Sequence, residues 1–414
     1  MRDRRFPPSP SSVAAALAVA ALLLAATAAA ASGPYQVTAT TTSQVGPLVR
    51  TEFLVQAGAH PLDRFKMVRL AKDVPPHVLA GSILFLPPLG LNFSFYEQRD
   101  ESGGMGTSIA EFFALHNFDV YGYSPRFADL PAGTCEAGLL DCSVMADWNL
   151  QSMVDDIAFV RAQIEQLRPG TRIVAGGASL GGMLALAVAN AQPADYDGIL
   201  PWEGMLASPD PAVQGLNQLY CAALEAQIAG GGVVDGVGTN VFKAVAKQAE
   251  LAPSGSNAIP LFPSVLTAHQ VMVLLLAVTA PGPVSMPVPN YVQMNGSLAE
   301  DRLFFAAEAR VFENVGRFNS YVPVPVVRDV SCSLAGVETA YVSNLGSYTG
   351  SVLAIGGGRG FGPFMAAQLA MLGSTDVTFL LEPEFGHIDH FMTERHREFV
   401  EHPILAWAGR VLQE

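Results

Sequence analysis

The stretch that most constrains this fold runs from Arg172 to Ala189, with the sequence RIVAGGASLGGMLALAVA. A short apolar run is followed by glycines and then by an alanine- and leucine-rich segment, which predicts a buried strand leading directly into a helix. GASLG within it matches the pattern Gly-x-Ser-x-Gly, which places a serine on a sharp strand-to-helix turn. Side chains at Gly177 and Gly181 would collide across such a turn. Free N–H groups at the helix N-terminus would face Ser179, the candidate nucleophile. The alternative is a glycine-rich turn with an idle serine.

Strand and helix patterns alternate along much of the remaining chain. Residues 35–42 and 48–56 alternate as an antiparallel strand pair does, and 64–70 can extend it. Further strands are predicted at 82–87, 118–123, 196–202, 351–356 and 376–381, with helices at 105–116, 147–167 and after about 393. This alternation predicts an α/β fold with a doubly wound, mostly parallel sheet.

Residues 204–340 break this rhythm with a glycine run at 230–232 and a proline-studded apolar tract at 259–294. We interpret this segment as a helical cap inserted over the site, between core segments 32–203 and 341–414. A separate domain with its own role is the alternative. The apolar run 271–278 is too short to cross a bilayer and predicts a buried helix.

Residues 1–31 have the pattern of a signal peptide. Three arginines (Arg2, Arg4 and Arg5) precede an apolar run from Val13 to Thr27, and small residues at 29–31 offer a cleavage site. We therefore expect a secreted or periplasmic protein. An uncleaved N-terminal membrane anchor is the alternative, since the apolar run approaches the length of a span.

The four cysteines fit export. Cys135 and Cys142 share one loop, whereas Cys221 and Cys332 flank the predicted cap. Of the three possible connectivities, local proximity and placement favour 135–142 and 221–332. Four buried thiols are the alternative. The spacing matches no zinc site, so we expect no metal.

The charge balance narrows the possible partners. The 23 basic and 37 acidic residues give a formal net charge of −14, with no basic run beyond the N-terminus. Such a chain is unsuited to nucleic acid or to an anionic membrane surface. We therefore expect contact with a membrane only through the signal segment.

Three motifs make the chain resemble the α/β-hydrolase family over residues 80–203 and 350–412. They are the elbow at 177–181, the segment FLPPLG at 85–90 where the family has its oxyanion loop, and FGHID at 385–389 where it has its histidine. The resemblance implies an ester hydrolase without a cofactor. It also implies that Ser179 is the nucleophile and His387 the base.

The chemistry of the serine supports the same histidine. A serine hydroxyl needs a neighbouring base to take its proton. His387 follows a strand and a glycine near the chain end, and the order serine then histidine suits this fold. His390 is the rival, three residues further on.

Two N–H groups must bind the oxyanion of the reaction. One would come from Leu180, the residue after the nucleophile. The other would come from the loop after the strand 82–87, where Pro87 and Pro88 carry no N–H, so the donor is Leu89 or Gly90 and we favour Leu89. The alternative is a turn that merely ends a strand.

The third member of a triad is not where the family places it, because glycine occupies position 360. We favour Glu203, which ends the strand 196–202, a position that some α/β hydrolases use for their acid. The competing carboxylates are Asp210, Glu382, Glu384 and Asp389. A surface carboxylate at the cap hinge is the other interpretation of Glu203.

Apolar cap residues suggest a substrate. They are Leu261, Phe262, Val265, Leu266, Met272, Leu274 and Leu275, which either line a pocket or form the core of the cap. The resulting hypothesis is a secreted serine hydrolase that cleaves a small apolar or lipid-like carboxylic ester through an acyl-enzyme. An acyltransferase or peptidase on the same scaffold, or a silent binding protein, are the alternatives.

Overall fold

The computed structural model describes residues 35–413, except 101, 136, 236, 258–262, 279–291 and 294–300. The predicted signal segment 1–31 lies outside the described residues, as do Leu261 and Phe262. No helix among the residues described is long and apolar enough to cross a bilayer.

A nine-stranded sheet forms the centre of the described chain, with the spatial order β1-β2-β3-β5-β4-β6-β7-β8-β9. The strands are β1 (Gln36–Val45), β2 (Leu48–Gln56), β3 (Arg64–Lys72), β4 (Ser82–Phe85), β5 (Asp119–Ser124), β6 (Ile173–Ala178), β7 (Gly198–Trp202), β8 (Ser351–Gly357) and β9 (Val377–Glu382). The first three pair antiparallel, and β3 joins β5 antiparallel. From β5 to β9 every neighbouring pair is parallel. The predicted mostly parallel α/β sheet is confirmed.

Twelve α-helices surround this sheet within the described residues. They are α1 (Ser94–Glu97), α2 (Ile109–Leu115), α3 (Leu150–Leu167), α4 (Leu180–Ala191), α5 (Pro211–Ala229), α6 (Val237–Leu251), α7 (Ala268–Val278), α8 (Glu308–Gly316), α9 (Val324–Leu334), α10 (Gly362–Leu369), α11 (Asp389–Met392) and α12 (His402–Gln413). A short π-helical turn, Arg397–Glu401, precedes α12.

The long helix α3 shows how the sequence sets these elements. Asn149 accepts a hydrogen bond from the Ser152 N–H at 2.9 Å, and the Ser152 hydroxyl accepts one from the Asn149 N–H at 3.0 Å. This capping box satisfies donors that the first helical turn leaves free. Ile157, Val160 and Ile164 are fully buried at helical spacing, so one face of α3 packs on the sheet.

Each face of the sheet has its own apolar core. On one face α3 and α4 pack against the sheet, and on the other α2 and α12 do so. The run 271–278 forms most of α7, where Val271, Met272 and Leu276 are buried in the second core.

Helices α5 to α9 lie between β7 and β8, within the segment predicted to be a cap. They form two groups, because α5 packs on α9 whereas α6 packs on α7 and α8. A Cys221–Cys332 disulfide joins α5 to α9, and a Cys135–Cys142 disulfide closes the loop before α3. These are the two pairings that the sequence favours. The boundaries at 204 and 340 stay a prediction.

Candidate active site

Ser179 lies at the turn between β6 and α4, as the glycine pattern predicts. Its backbone has φ +57° and ψ −118°, a conformation that costs a non-glycine residue on the order of 1–3 kcal/mol. A Cβ at Gly177 or Gly181 would collide with the carbonyl oxygen of Leu86 at the end of the neighbouring strand. Only glycine at these positions lets the turn approach that strand, which accounts for both glycines.

His387 links the serine to a carboxylate. Its Nε2 is 3.0 Å from the Ser179 hydroxyl oxygen, and its Nδ1 is 2.9 Å from Oε2 of Glu203. Both His387 and Glu203 are buried, at 3% and 0% exposure. The rings of Phe361 and Phe391 meet the imidazole edge-on at 5.1 and 5.6 Å between centroids. The imidazole is thus fixed by two hydrogen bonds and by two aromatic side chains.

Glu203 follows β7 directly and is held by backbone N–H groups. Its own N–H donates to the Ile355 carbonyl at 2.8 Å, and its two carboxylate oxygens accept from the N–H groups of Gly357 and Phe361. Its φ is +48°, so this residue also has a strained backbone. Amide donors and the histidine together offset the cost of burying a carboxylate.

Gly360 has a steric role at this site. A Cβ at position 360 would collide with the carboxylate of Glu203. The glycine at position 360, where the family has its acid, therefore leaves room for the carboxylate of Glu203, which follows β7.

Three of the four competing carboxylates have other partners. Asp210 caps α5 by accepting from the Ala212 N–H, Glu384 pairs with Arg359 at 2.8 Å, and Asp389 accepts from the Gly386 N–H at 2.6 Å. Glu382 ends β9, where burial raises its pKa. Glu203 is the carboxylate that the structure brings to His387.

His390, the rival base, lies apart from the serine. It is fully buried, its ring packs 4.8 Å from that of Phe385, and neither ring nitrogen has a hydrogen-bond partner among the residues described. Burial, and then the charge of the nearby His387, lowers the pKa of His390 to about 3.

Leu89 and Leu180, the expected oxyanion donors, border the same space as Ser179. Leu180 opens α4, so its N–H has no acceptor within the helix. Leu89 lines both cavities that contain Ser179. Within the part of the chain that the structure describes, no acceptor is found for the Leu89 N–H.

Tyr96 and Asn319 fix the loop after β4, and sequence reasoning missed both. The Tyr96 hydroxyl donates to the Leu86 carbonyl at 2.7 Å and accepts from the Ala178 N–H at 2.9 Å, which joins the loop after β4 to the elbow. Asn319 donates its backbone N–H to the Gly90 carbonyl at 2.6 Å. A tyrosine in the phenylalanine-rich segment 93–96 is the signal that could have pointed to Tyr96.

Among the described residues, two apolar cavities open onto Ser179. The larger also contains His387 and is lined by Pro88, Leu89, Leu91, Phe95, Val311, Asn314, Val315, Phe318, Ile388, Phe391 and Met392. The smaller lies against α9 and is lined by Leu89, Leu180, Met183, Val326, Val327 and Val330. Both therefore have one wall from the segment between β7 and β8.

The pocket residues expected from the sequence are elsewhere. Met272 is buried in the second core, where Leu266 and Leu275 pack against it, whereas Val265 and Leu274 are 85% and 36% exposed. None of the five described residues lines a cavity at Ser179. Leu266, Met272 and Leu275 therefore match the alternative, in which these residues form a core. The inserted segment lines the two cavities at Ser179 with residues of α8 and α9 instead.

One described group of side chains has the spacing of metal ligands, Cys221, Glu225 and Cys332. Its two sulfurs are joined in a disulfide, so they are not thiolate ligands.

Comparison with known proteins supports this description of the fold. A model of the phospholipase/carboxylesterase family matches residues 149–230, which include the elbow and α4. No curated protein matches the chain.

Solved structures match over most of the chain. A candidate lipase from Sulfolobus solfataricus is 16% identical, with a TM-score of 0.62 over 90% of this chain and 99% of that one. A highly thermostable carboxyl esterase from Bacillus coagulans is 12% identical, with a TM-score of 0.52 over 91% and 99% of the two chains. The strand order, the elbow and these similarities together show that the chain has the α/β-hydrolase fold.

Proposed function

We propose that this protein is an exported serine hydrolase that cleaves small apolar carboxylic esters through an acyl-enzyme. The observation that carries the proposal is the chain of two hydrogen bonds from Ser179 through His387 to Glu203, at 3.0 and 2.9 Å. Both distances are within the range in which a base can take the proton of a nucleophile.

The reaction follows from this geometry. His387 Nε2 takes the proton of Ser179 as the hydroxyl oxygen attacks the ester carbonyl. The carbonyl oxygen becomes an oxyanion, which the N–H groups of Leu180 and Leu89 would stabilise. His387 then gives the proton to the leaving alcohol, and a water molecule repeats these steps to release the acid.

Glu203 would hold His387 in the useful orientation. Its carboxylate accepts from Nδ1, so the proton of a neutral imidazole stays there and Nε2 is free to accept from the serine. It would also stabilise the imidazolium that forms during the reaction. The backbone donors at Gly357 and Phe361 fix the carboxylate itself.

The substrate class follows from the surroundings of the serine. Apart from Ser179, His387 and Asn314, the side chains that line the two cavities are apolar. Such walls favour an apolar ester over a charged one. The two disulfides support export, because disulfides persist in oxidising compartments.

Three variants test this proposal on an ester such as p-nitrophenyl acetate. Ser179→Ala should lower kcat by on the order of 10⁶, because only the oxyanion site and binding remain. Glu203→Gln should lower kcat by roughly 10³–10⁴ with little change in KM, since the loss falls on the transition state. Glu384→Gln is the matched control, because Glu384 is exposed and pairs with Arg359.

Labelling with a fluorophosphonate completes the test, because only an activated serine reacts quickly. The expected adduct is on Ser179 alone. A Ser179→Ala variant with activity within about tenfold of the parent would refute the assignment. An unlabelled parent would instead indicate a silent binding protein.

A further inference from the structure

The two cavities at Ser179 differ in one chemical respect. The larger one contains His387, whereas the smaller one contains Leu180 and Met183 at the start of α4 but not the histidine. Leu89 borders both cavities. An ester that reacts at Ser179 has two arms, and within the described part of the chain these two cavities offer space for them.

Proton transfer decides which arm goes where. When the ester C–O bond breaks and the Ser179 oxygen–acyl bond has formed, the alcohol oxygen must receive the proton held on His387 Nε2. That oxygen therefore lies on the side of His387. The alcohol arm then extends into the larger cavity, and the acyl arm into the cavity against α9.

The acyl side is the smaller of the two. It leaves about 20 Å³ for the centres of water molecules, against about 40 Å³ on the alcohol side. One water molecule needs roughly 10–15 Å³ by this measure, so the acyl side has room for about one or two carbon-sized groups and the alcohol side for about three or four. Its wall from the inserted segment consists of Val326, Val327 and Val330, whose side chains are 0–7% exposed.

This wall is also firmly anchored. Asp329 on α9 accepts from the Leu150 N–H at 3.0 Å and from the Tyr341 hydroxyl at 2.8 Å. Ser333 donates its hydroxyl to the Leu206 carbonyl at 2.8 Å, and Cys332 is bonded to Cys221 on α5. Moving α9 away to admit a long chain would break several of these contacts.

We infer that the enzyme selects its substrate at the acyl end. It takes acetyl or propionyl esters of a larger apolar alcohol, and α9 excludes longer acyl chains. This inference rests on the proposed ester hydrolysis and names its substrate class. It narrows the expectation of a lipid-like ester to one in which the apolar bulk belongs to the alcohol.

A set of matched valine-to-alanine variants tests the inference. Val330→Ala enlarges the acyl side, Val311→Ala enlarges the alcohol side, and Val337→Ala is the control because Val337 is 61% exposed. Val327→Ala is a second acyl-side variant, and thermal unfolding shows whether each protein folds. The measured quantity is kcat/KM for p-nitrophenyl acetate, butyrate and octanoate, which share one leaving group, and for ethyl, phenyl and 1-naphthyl acetate, which share one acyl group.

The parent should prefer acetate to octanoate by at least about tenfold, since one methylene in an apolar pocket changes kcat/KM by roughly 10–200-fold. Val330→Ala or Val327→Ala should reduce that ratio by about tenfold, again from the effect of one methylene. Val311→Ala should leave the acetate-to-octanoate ratio of kcat/KM unchanged. It should alter the order of kcat/KM among ethyl, phenyl and 1-naphthyl acetate. Val337→Ala should behave as the parent does.

The failures can be told apart. If Ser179 is labelled by a fluorophosphonate and octanoate is the best substrate, the acyl-side inference is wrong while the proposed hydrolase stands. The same holds if folded Val330→Ala and Val327→Ala both keep the parental ratio. If Ser179 is unlabelled and no ester is cleaved, the proposed function fails, and the inference fails with it.

Discussion

His390 is a buried histidine that does no work in the proposed reaction. Its pKa is about 3 because burial disfavours the charged ring and because His387 can carry a positive charge nearby. An unfolded histidine has a pKa of about 6.5. Between these two values the unfolded chain binds a proton that the folded chain does not. The folded state therefore loses stability as the pH falls through this range, by about 1.4 kcal/mol per pH unit.

We therefore expect His390→Leu to make the protein less sensitive to acid. Relative to pH 8, its free energy of unfolding at pH 4.5 should fall by roughly 2–3 kcal/mol less than that of the parent. Urea unfolding at both pH values measures this, with exposed His77→Gln as the control. An equal loss in the His390→Leu variant and the parent would contradict the expectation. Its kcat should stay within about tenfold of the parent, since His387 remains the base.

At the same scale, the sequence predicted that Ser179, His387 and Glu203 would meet, and the structure brings them together. Their roles in a reaction stay a prediction. The prediction that they meet rested on where the strands end and on the order of serine and histidine along the chain. At position 360, however, the sequence showed only that the acid of the family is replaced by glycine. Its steric role depends on a contact with Glu203 across 157 positions of the chain, and no local pattern encodes such a contact.

Among the elements, the β4–α1 connection is held to the elbow by the side chain of Tyr96. The Tyr96 hydroxyl satisfies both the Leu86 carbonyl and the Ala178 N–H, and all three groups are buried. It thereby joins the loop after β4 to the elbow. A buried backbone group that loses its only partner costs roughly 1–3 kcal/mol.

Removing that hydroxyl should affect both stability and turnover. Tyr96→Phe should lower the free energy of unfolding by roughly 1–3 kcal/mol. It should also lower kcat about tenfold or more at nearly constant KM, because misplaced oxyanion donors weaken the transition state alone. Urea unfolding and ester kinetics measure the two effects, with the half-exposed Tyr220→Phe as the control. An unchanged kcat in a destabilised Tyr96→Phe variant would mean that the tyrosine only supports the fold.

For the helices of the inserted segment, the sequence pattern predicts burial but not which residues line the cavities. The apolar run 271–278 predicts a buried helix, and Val271, Met272 and Leu276 of that helix are buried. Apolarity predicts burial but not the neighbours of a side chain. The residues that line the cavities belong to α8 and α9, and their place beside Ser179 depends on how two helix groups pack on a sheet.

At the scale of the whole molecule, one disulfide closes a long loop within the inserted segment. The Cys221–Cys332 bond spans 111 positions and the Cys135–Cys142 bond only 7. Closing a loop in the unfolded chain removes conformational entropy, and the loss grows with the logarithm of the loop's length. The long bond should therefore stabilise the folded state by about 4.8 kcal/mol and the short one by about 2.4 kcal/mol.

Paired serine variants test this difference. Cys221→Ser with Cys332→Ser should lower the free energy of unfolding by about 4–5 kcal/mol, and Cys135→Ser with Cys142→Ser by about 2 kcal/mol. Urea unfolding of both double variants measures the losses, after non-reducing peptide mapping of exported parent protein has established the two bonds. Parent protein unfolded in a reductant is the control and should lose the most. A larger loss from the short loop would show that native contacts, and not the entropy of the unfolded chain, determine what each bond contributes. Free thiols at all four positions in exported protein would refute both the bonds and the difference between them.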